Sequence, residues 1–170
     1  PEVDETVPPG LTPEQAVMYL ALKKALSVEQ QLSPQSDQWL IAADTIVYQE
    51  TIMGKPQNEQ EAWDMLRCLR GKEHRVITGV VLLCPKMPQR QVFAETTVVC
   101  FRNYDDRTIR EYIDSGEVWD KAGAYAIQGS FGRQVERISG DFDNVVGLPW
   151  KRISKELSRM IKGTYRSPAG

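Results

Sequence analysis

An aspartate in the middle of an apolar strand needs a partner. The run from Trp39 to Tyr48, Trp-Leu-Ile-Ala-Ala-Asp-Thr-Ile-Val-Tyr, reads as a buried strand, and Asp44 stands at its centre. An unanswered carboxylate there costs several kcal/mol, so the position asks for a metal ion or a cationic side chain. Strand alternation puts Asp44 on one face with Leu40, Ala42 and Ile46, and Thr45 on the other. The small Ala42 and Ala43 leave room beside the carboxylate for a ligand. A few residues on, Gly54-Lys55-Pro56 supplies a flexible residue, a cation and a rigid turn, suited to aiming Lys55 back at an anionic group near Asp44. Glu5 and Lys24 add a second carboxylate and a second lysine, and Gln128 adds a neutral amide with both a donor and acceptors. This set suits a small anionic ligand.

Other chemistries have less to stand on. His74 is the only histidine and directly precedes an apolar strand, so it reads as a surface or hydrogen-bonded structural residue, and a histidine metal site or a Ser-His-Asp triad lacks its parts. Neither a Walker loop nor the G-x-G-x-x-G fingerprint occurs. Cys68, Cys84 and Cys100 lie in apolar surroundings without Cys-x-x-Cys spacing, which favours reduced thiols and a cytoplasmic setting. With 21 basic and 23 acidic side chains and no basic block, the chain has no footprint for polymeric nucleic acid. No run is apolar enough to span a membrane. At 170 residues and 41% hydrophobic content, one globular domain is expected.

The elements that must position these groups follow from periodicity. Thr12-Pro13-Glu14-Gln15 is a helix start, and the helix carries Ala16, Leu20, Lys24 and Ala25 to about Gln31. From pattern alone Lys24 is a solvated helix-end lysine, Lys55 a turn lysine and Gln128 a surface amide. After the Asp44 strand, Gln49-Glu50 turns a small hairpin, and Asn58 caps a helix with Ala62, Met65, Leu66 and Leu69 on one face. Val76–Leu83 is a strand whose Gly79 marks a bulge or the close approach of another backbone or ligand. Gln91–Phe101 is its antiparallel neighbour, with Val92, Ala94, Thr96, Val98 and Cys100 on one face. Asp105 opens a helix that Ser115-Gly116 stops. A stretch of small residues from Trp119 to Gly129 leads to a strand over Gln134–Ile138, then a short helix and a closing helix from Trp150 with Ile153, Leu157, Met160 and Ile161 inward.

Six segments together resemble one family. Val3-Asp4-Glu5-Thr6, Ala43-Asp44-Thr45, Gly54-Lys55-Pro56, Thr78-Gly79-Val80, Asp120-Lys121-Ala122-Gly123-Ala124-Tyr125 to Gln128-Gly129, and Asn144-Val145-Val146-Gly147-Leu148-Pro149 occur in the order seen in Maf-type nucleoside triphosphate pyrophosphatases. The resemblance implies an α/β fold, an elongated mixed sheet with flanking helices and a central cleft, similar to inosine triphosphate pyrophosphatases. It implies a homodimer, a divalent metal (Mg or Mn), and hydrolysis of a nucleoside triphosphate to monophosphate and pyrophosphate in nucleotide-pool sanitation. Carried over by position, Asp44 is the proton acceptor and a candidate metal ligand, Glu5 an acid near the metal, and Lys24 and Lys55 the phosphate-site cations. Thr45 and Gln128 match positions linked to substrate choice. Ala-Asp-Thr with Ala-Tyr-x-Ile-Gln-Gly is similar to the branch acting on dTTP and UTP, not the one acting on 7-methyl-GTP.

The family's opening strand and its Ser-x-x-Arg-Arg segment would lie ahead of Pro1. The expectation is therefore an N-terminally incomplete domain over residues 1–170 with a frayed tail at 163–170. A competing class is a nucleotide-binding regulatory module, such as a division inhibitor, that keeps the pocket without turnover. Retention of Glu5, Asp44 and both lysines argues against it, because a pure binder has little use for carboxylates facing a polyanion unless a metal lies between.

Overall fold

The computed structural model describes residues 3–164, leaving Pro1, Glu2 and 165–170 outside the description. Helix α1 spans Pro13–Glu29 and starts on a reciprocal cap: the Thr12 hydroxyl accepts from the Gln15 backbone N–H while the Gln15 side chain accepts from the Thr12 N–H. Strand β1 (Leu40–Gln49) turns at Glu50, whose φ is +60°, into the three-residue β2 (Thr51–Met53). Helix α2 (Glu59–Leu69) is capped by Asn58 as expected, and buries Ala62, Leu66 and Leu69. Strands β3 (Glu73–Leu83) and β4 (Arg90–Phe101) form the long central hairpin. Helix α3 (Asp106–Asp114), 3-10 turns over Ala122–Ala124 and Ser130–Gln134, strand β5 (Val135–Ser139), and helices α4 (Phe142–Val146) and α5 (Trp150–Thr164) complete the chain.

The strands order as β2-β1-β3-β4-β5 in one sheet, antiparallel at every pairing. This is the expected α/β arrangement of a sheet with flanking helices, with antiparallel pairing throughout the described strands where a mixed sheet was expected. One face carries α1, whose Ala21 and Ala25 pack with Leu40, Val81 and Leu83, and whose Val17 packs with Ile46 and Ile77. On the other face α5 seats Ile153 and Met160 against Val80, Leu82 and Phe93. Beside it, α2, α3 and the 119–134 region build the largest core on Val47, Val76, Val99 and Phe101. β2 pairs with β1 only through Val47–Gln49, so among the described residues Leu40–Ile46 has a strand neighbour on one side alone. That open edge gives access to both faces of β1.

Several expectations need adjusting. β3 begins at Glu73, so His74 lies inside the strand and is buried, which removes the surface reading and keeps the structural one. Gly79 makes no bulge, since pairing runs unbroken through it; the close approach is realised instead. On β4 the residues expected to share a face do so, and the buried face is the alternate one, Phe93, Thr97, Val99 and Phe101, which packs into the cores built with α2, α3 and α5. Ile161 is 42% exposed although Ile153 is buried on the same helix. The helix runs on through Gly163 and Thr164, and the remainder of the expected tail lies outside the described residues.

Candidate active site

Asp44 is placed by β1 and answered by α1. Its cross-strand partner is Gly79, and the two positions share the face that α1 covers. The ammonium of Lys24, which immediately precedes Ala25, the last buried residue of α1, sits directly on Asp44 Oδ1 and lies 3.1 Å from Glu5 Oε1. The expected solvated lysine is thus a bridge between two carboxylates. The Asp44 side chain is only 11% exposed, and burial holds its carboxyl above the usual carboxylate range, opposed by the Lys24 ammonium and aided by the Glu5 charge. Burial alone would lower the Lys24 ammonium; the hydrogen bond and charge of Asp44, then those of Glu5, outweigh it and hold the lysine above its ordinary value.

A cavity of about 400 Å³ opens beside this bridge, bounded by Lys24, Asp44, Thr45, Lys55, Lys121 and Gln128. A smaller cavity of about 180 Å³ adjoins it, sharing Asp44, Thr45 and Lys55 and adding Glu5. Every residue singled out from the sequence therefore lines this connected space. Asp44 and Thr45 are successive residues pointing to opposite faces, and both reach the cavity because the β1 edge between the faces is open. The far wall is tied to the Lys55 turn: the Gly123 N–H donates to the Gly54 carbonyl at 3.0 Å. Gly123 has φ +67°, and a Cβ there would stand 2.9 Å from Val47, so only glycine lets this turn close on β1.

Four further contributors stand in the segments that carry the family resemblance, without a role assigned to them there. Asp120 and Lys121 line the cavity, and Asp120 holds φ +58°, a conformation costly for a non-glycine. Thr78 and Asn144 are fully buried polar residues behind Thr45. Polar side chains inside apolar runs were the available signal. Tyr125, which also lines the cavity, takes a 2.7 Å hydrogen bond with His74 Nε2 and stands in a cluster with Phe101.

This ordered set of segments matches a family model. The description "Maf-like protein" fits residues 1–160. The chain belongs to the Maf family. It is 46% identical over 159 residues to a dTTP/UTP pyrophosphatase of Geobacillus sp., covering 93% of this chain and 83% of that protein. Similarity to the dTTP/UTP pyrophosphatase of Caldicellulosiruptor saccharolyticus is 44% over 160 residues, 93% of this chain and 80% of the relative. A third dTTP/UTP pyrophosphatase, of Caldanaerobacter subterraneus, is 46% identical over 149 residues, 86% and 70% of the two chains.

The donor set of this Maf chain fits a hard divalent cation. Glu5 and Asp44 converge on one point, and the Lys24 ammonium between them shows that the point favours positive charge. Among the described residues no group of three or more His, Cys, Asp or Glu side chains gathers to enclose a metal. Two carboxylates completed by water and ligand oxygens is the arrangement expected for Mg, which takes few protein ligands and keeps substrate phosphates. Among the described residues no helix is long and apolar enough to cross a membrane.

Proposed function

We propose that this chain hydrolyses pyrimidine nucleoside triphosphates, dTTP and UTP foremost, to the monophosphate and pyrophosphate. The observation that carries the reading is the joining of two carboxylates and two lysines, Glu5, Asp44, Lys24 and Lys55, at the junction of a nucleoside-sized cavity and a smaller annex. The nucleoside occupies the larger space, against Gln128, and the phosphate tail runs past Asp44 toward Lys55 and Glu5.

Asp44 takes the proton of the attacking water as its oxygen bonds the α-phosphorus; the bond from that phosphorus to the bridging oxygen breaks, and that oxygen leaves with the β- and γ-phosphates as pyrophosphate. The raised carboxyl suits this role, because a more basic carboxylate accepts a proton more readily. Lys24 and Lys55 offset the charge of the phosphate oxygens and of the leaving group. Glu5 and Asp44 would hold a divalent cation, Mg or Mn, which would supply Lewis-acid polarisation at the reacting phosphate. The Gln128 amide offers a donor and an acceptor to the O4 and N3–H edge of uracil or thymine. A cytoplasmic homodimer is the expected setting, checked by sedimentation.

The test is the product. Incubated with UTP and Mg, the protein is expected to release pyrophosphate and UMP in equal amounts, and chelator is expected to stop it. Orthophosphate with UDP would replace this reading with a phosphatase, and saturable UTP binding without turnover would replace it with a binding module.

A further inference from the structure

Two hydroxyls, that of Thr45 on the cavity wall and that of the buried Thr78 behind it, form a chain with a fixed direction. Thr45 Oγ1 and Thr78 Oγ1 are 2.9 Å apart, and Thr78 Oγ1 is 3.2 Å from the backbone carbonyl of Asn144. A carbonyl only accepts, so the single Thr78 proton goes to Asn144. That carbonyl also accepts the Gly147 N–H at 3.0 Å, which fills both of its lone pairs and anchors α4 behind the cavity wall. The Asn144 side chain is held in turn, its Nδ2 donating to the Val76 carbonyl and to Thr97 Oγ1, each at 3.1 Å. With its proton committed, Thr78 can only accept from Thr45. The one Thr45 proton therefore points away from the cavity, and the Thr45 hydroxyl meets a ligand with lone pairs alone. The reverse order would set the buried Thr78 oxygen against the Asn144 carbonyl at 3.2 Å with no proton between them, and would leave Thr78 Oγ1 without a donor.

We propose that Thr78, which does not line the cavity, is a specificity-determining positioning residue: it orients the Thr45 hydroxyl as an obligate acceptor, so that this wall selects nucleotides offering a hydrogen-bond donor. This rests on the pyrophosphatase reading above and adds the polarity of one contact. Uracil and thymine offer N3–H, which Thr45 would share with the Gln128 amide oxygen, where cytosine has a lone pair; a ribose 2′-hydroxyl is the other donor within the same ligand. Rejection of a wrong partner is strong when it leaves buried polar groups facing like with like.

The experiment compares kcat/KM for UTP, CTP and dUTP in the parent, Thr78→Val and Thr78→Ser. Valine keeps the shape and removes the hydroxyl, freeing the Thr45 proton to turn into the cavity. The parent is expected to prefer the donor-bearing nucleotide, and Thr78→Val to narrow that preference about tenfold, with Thr78→Ser restoring it. A narrowed UTP:CTP ratio identifies the base N3–H as the donor, and a narrowed UTP:dUTP ratio the sugar hydroxyl. A merely structural role would lower all three rates together; unchanged ratios in Thr78→Val overturn the proposal. Should Thr78→Val fail to fold, Thr45→Val carries the same comparison, since it removes the acceptor itself, and ratios that stay at parental values then overturn it. A parent that turns over none of the three nucleotides would instead reject the activity on which the inference stands.

Discussion

Gly79 stands directly across the sheet from Asp44, and the space where its side chain would be is filled by the backbone of α1. A Cβ on Gly79 would lie 2.4 Å from the Val17 carbonyl carbon and oxygen. The helix therefore rests on the sheet at backbone distance, and two turns later Lys24 arrives on Asp44. Removal of one side chain from β3 is thus what sets the height of the lysine over the carboxylate.

Gly79→Ala is expected to lift α1 and separate Lys24 from Asp44. The colliding atoms are backbone and cannot rotate away, so the loss of stability belongs at the upper end for overpacking, about 3 kcal/mol. Denaturant melts report it, and activity under native conditions should fall with it. A variant as stable and active as the parent would show that α1 can shift without disturbing the site.

Asp44→Asn keeps the volume and a hydrogen-bond acceptor for Lys24 but removes the base. Turnover should fall by roughly a thousandfold, within the range for loss of a general base, while circular dichroism and the melting temperature stay close to the parent. Pyrophosphate release at saturating UTP is the readout, and near-parental rates would mean that another group takes the proton. Burial also places the acid limb of the kcat/KM profile above that of an exposed aspartate. Lys24 is the group that opposes this shift, so Lys24→Gln should move the limb further up.

His74 makes the fold sensitive to mild acid. Burial pushes its imidazole down from the ordinary 6.5 to about 4, so between these values the unfolded chain binds a proton that the folded chain refuses. Its contribution is intact above the higher value and is lost as pH falls through the window toward the lower one. At about pH 5 the loss is on the order of 2 kcal/mol. It is the only histidine, and comparing urea melts of the parent and His74→Phe at neutral and mildly acid pH separates its effect from that of carboxylates such as Asp44; the variant should flatten the slope. The same variant gives up the bond to Tyr125 and should be less stable at neutral pH.

Much of this protein was legible in the order of its residues. Caps and stops are local, so Thr12, Asn58 and Asp105 marked the helix starts through hydrogen bonds that span three residues. A charged residue within an apolar run carries its own energetic warning, and so Asp44 marked the strand that lines the candidate site before any partner was known. Alternation along that strand correctly assigned Asp44 and Thr45 to opposite faces. Where the faces lead was a matter for the tertiary structure. Lys24 reads as a solvated helix end because nothing within its own helix answers it; the answer lies twenty residues on, in Asp44, and is reached only because Gly79 admits α1 to the sheet. The direction of the Thr45 hydroxyl is likewise absent from local sequence, since it is set by a proton held between Thr78 on β3 and a carbonyl on α4, contacts made only when the sheet and its helices close together.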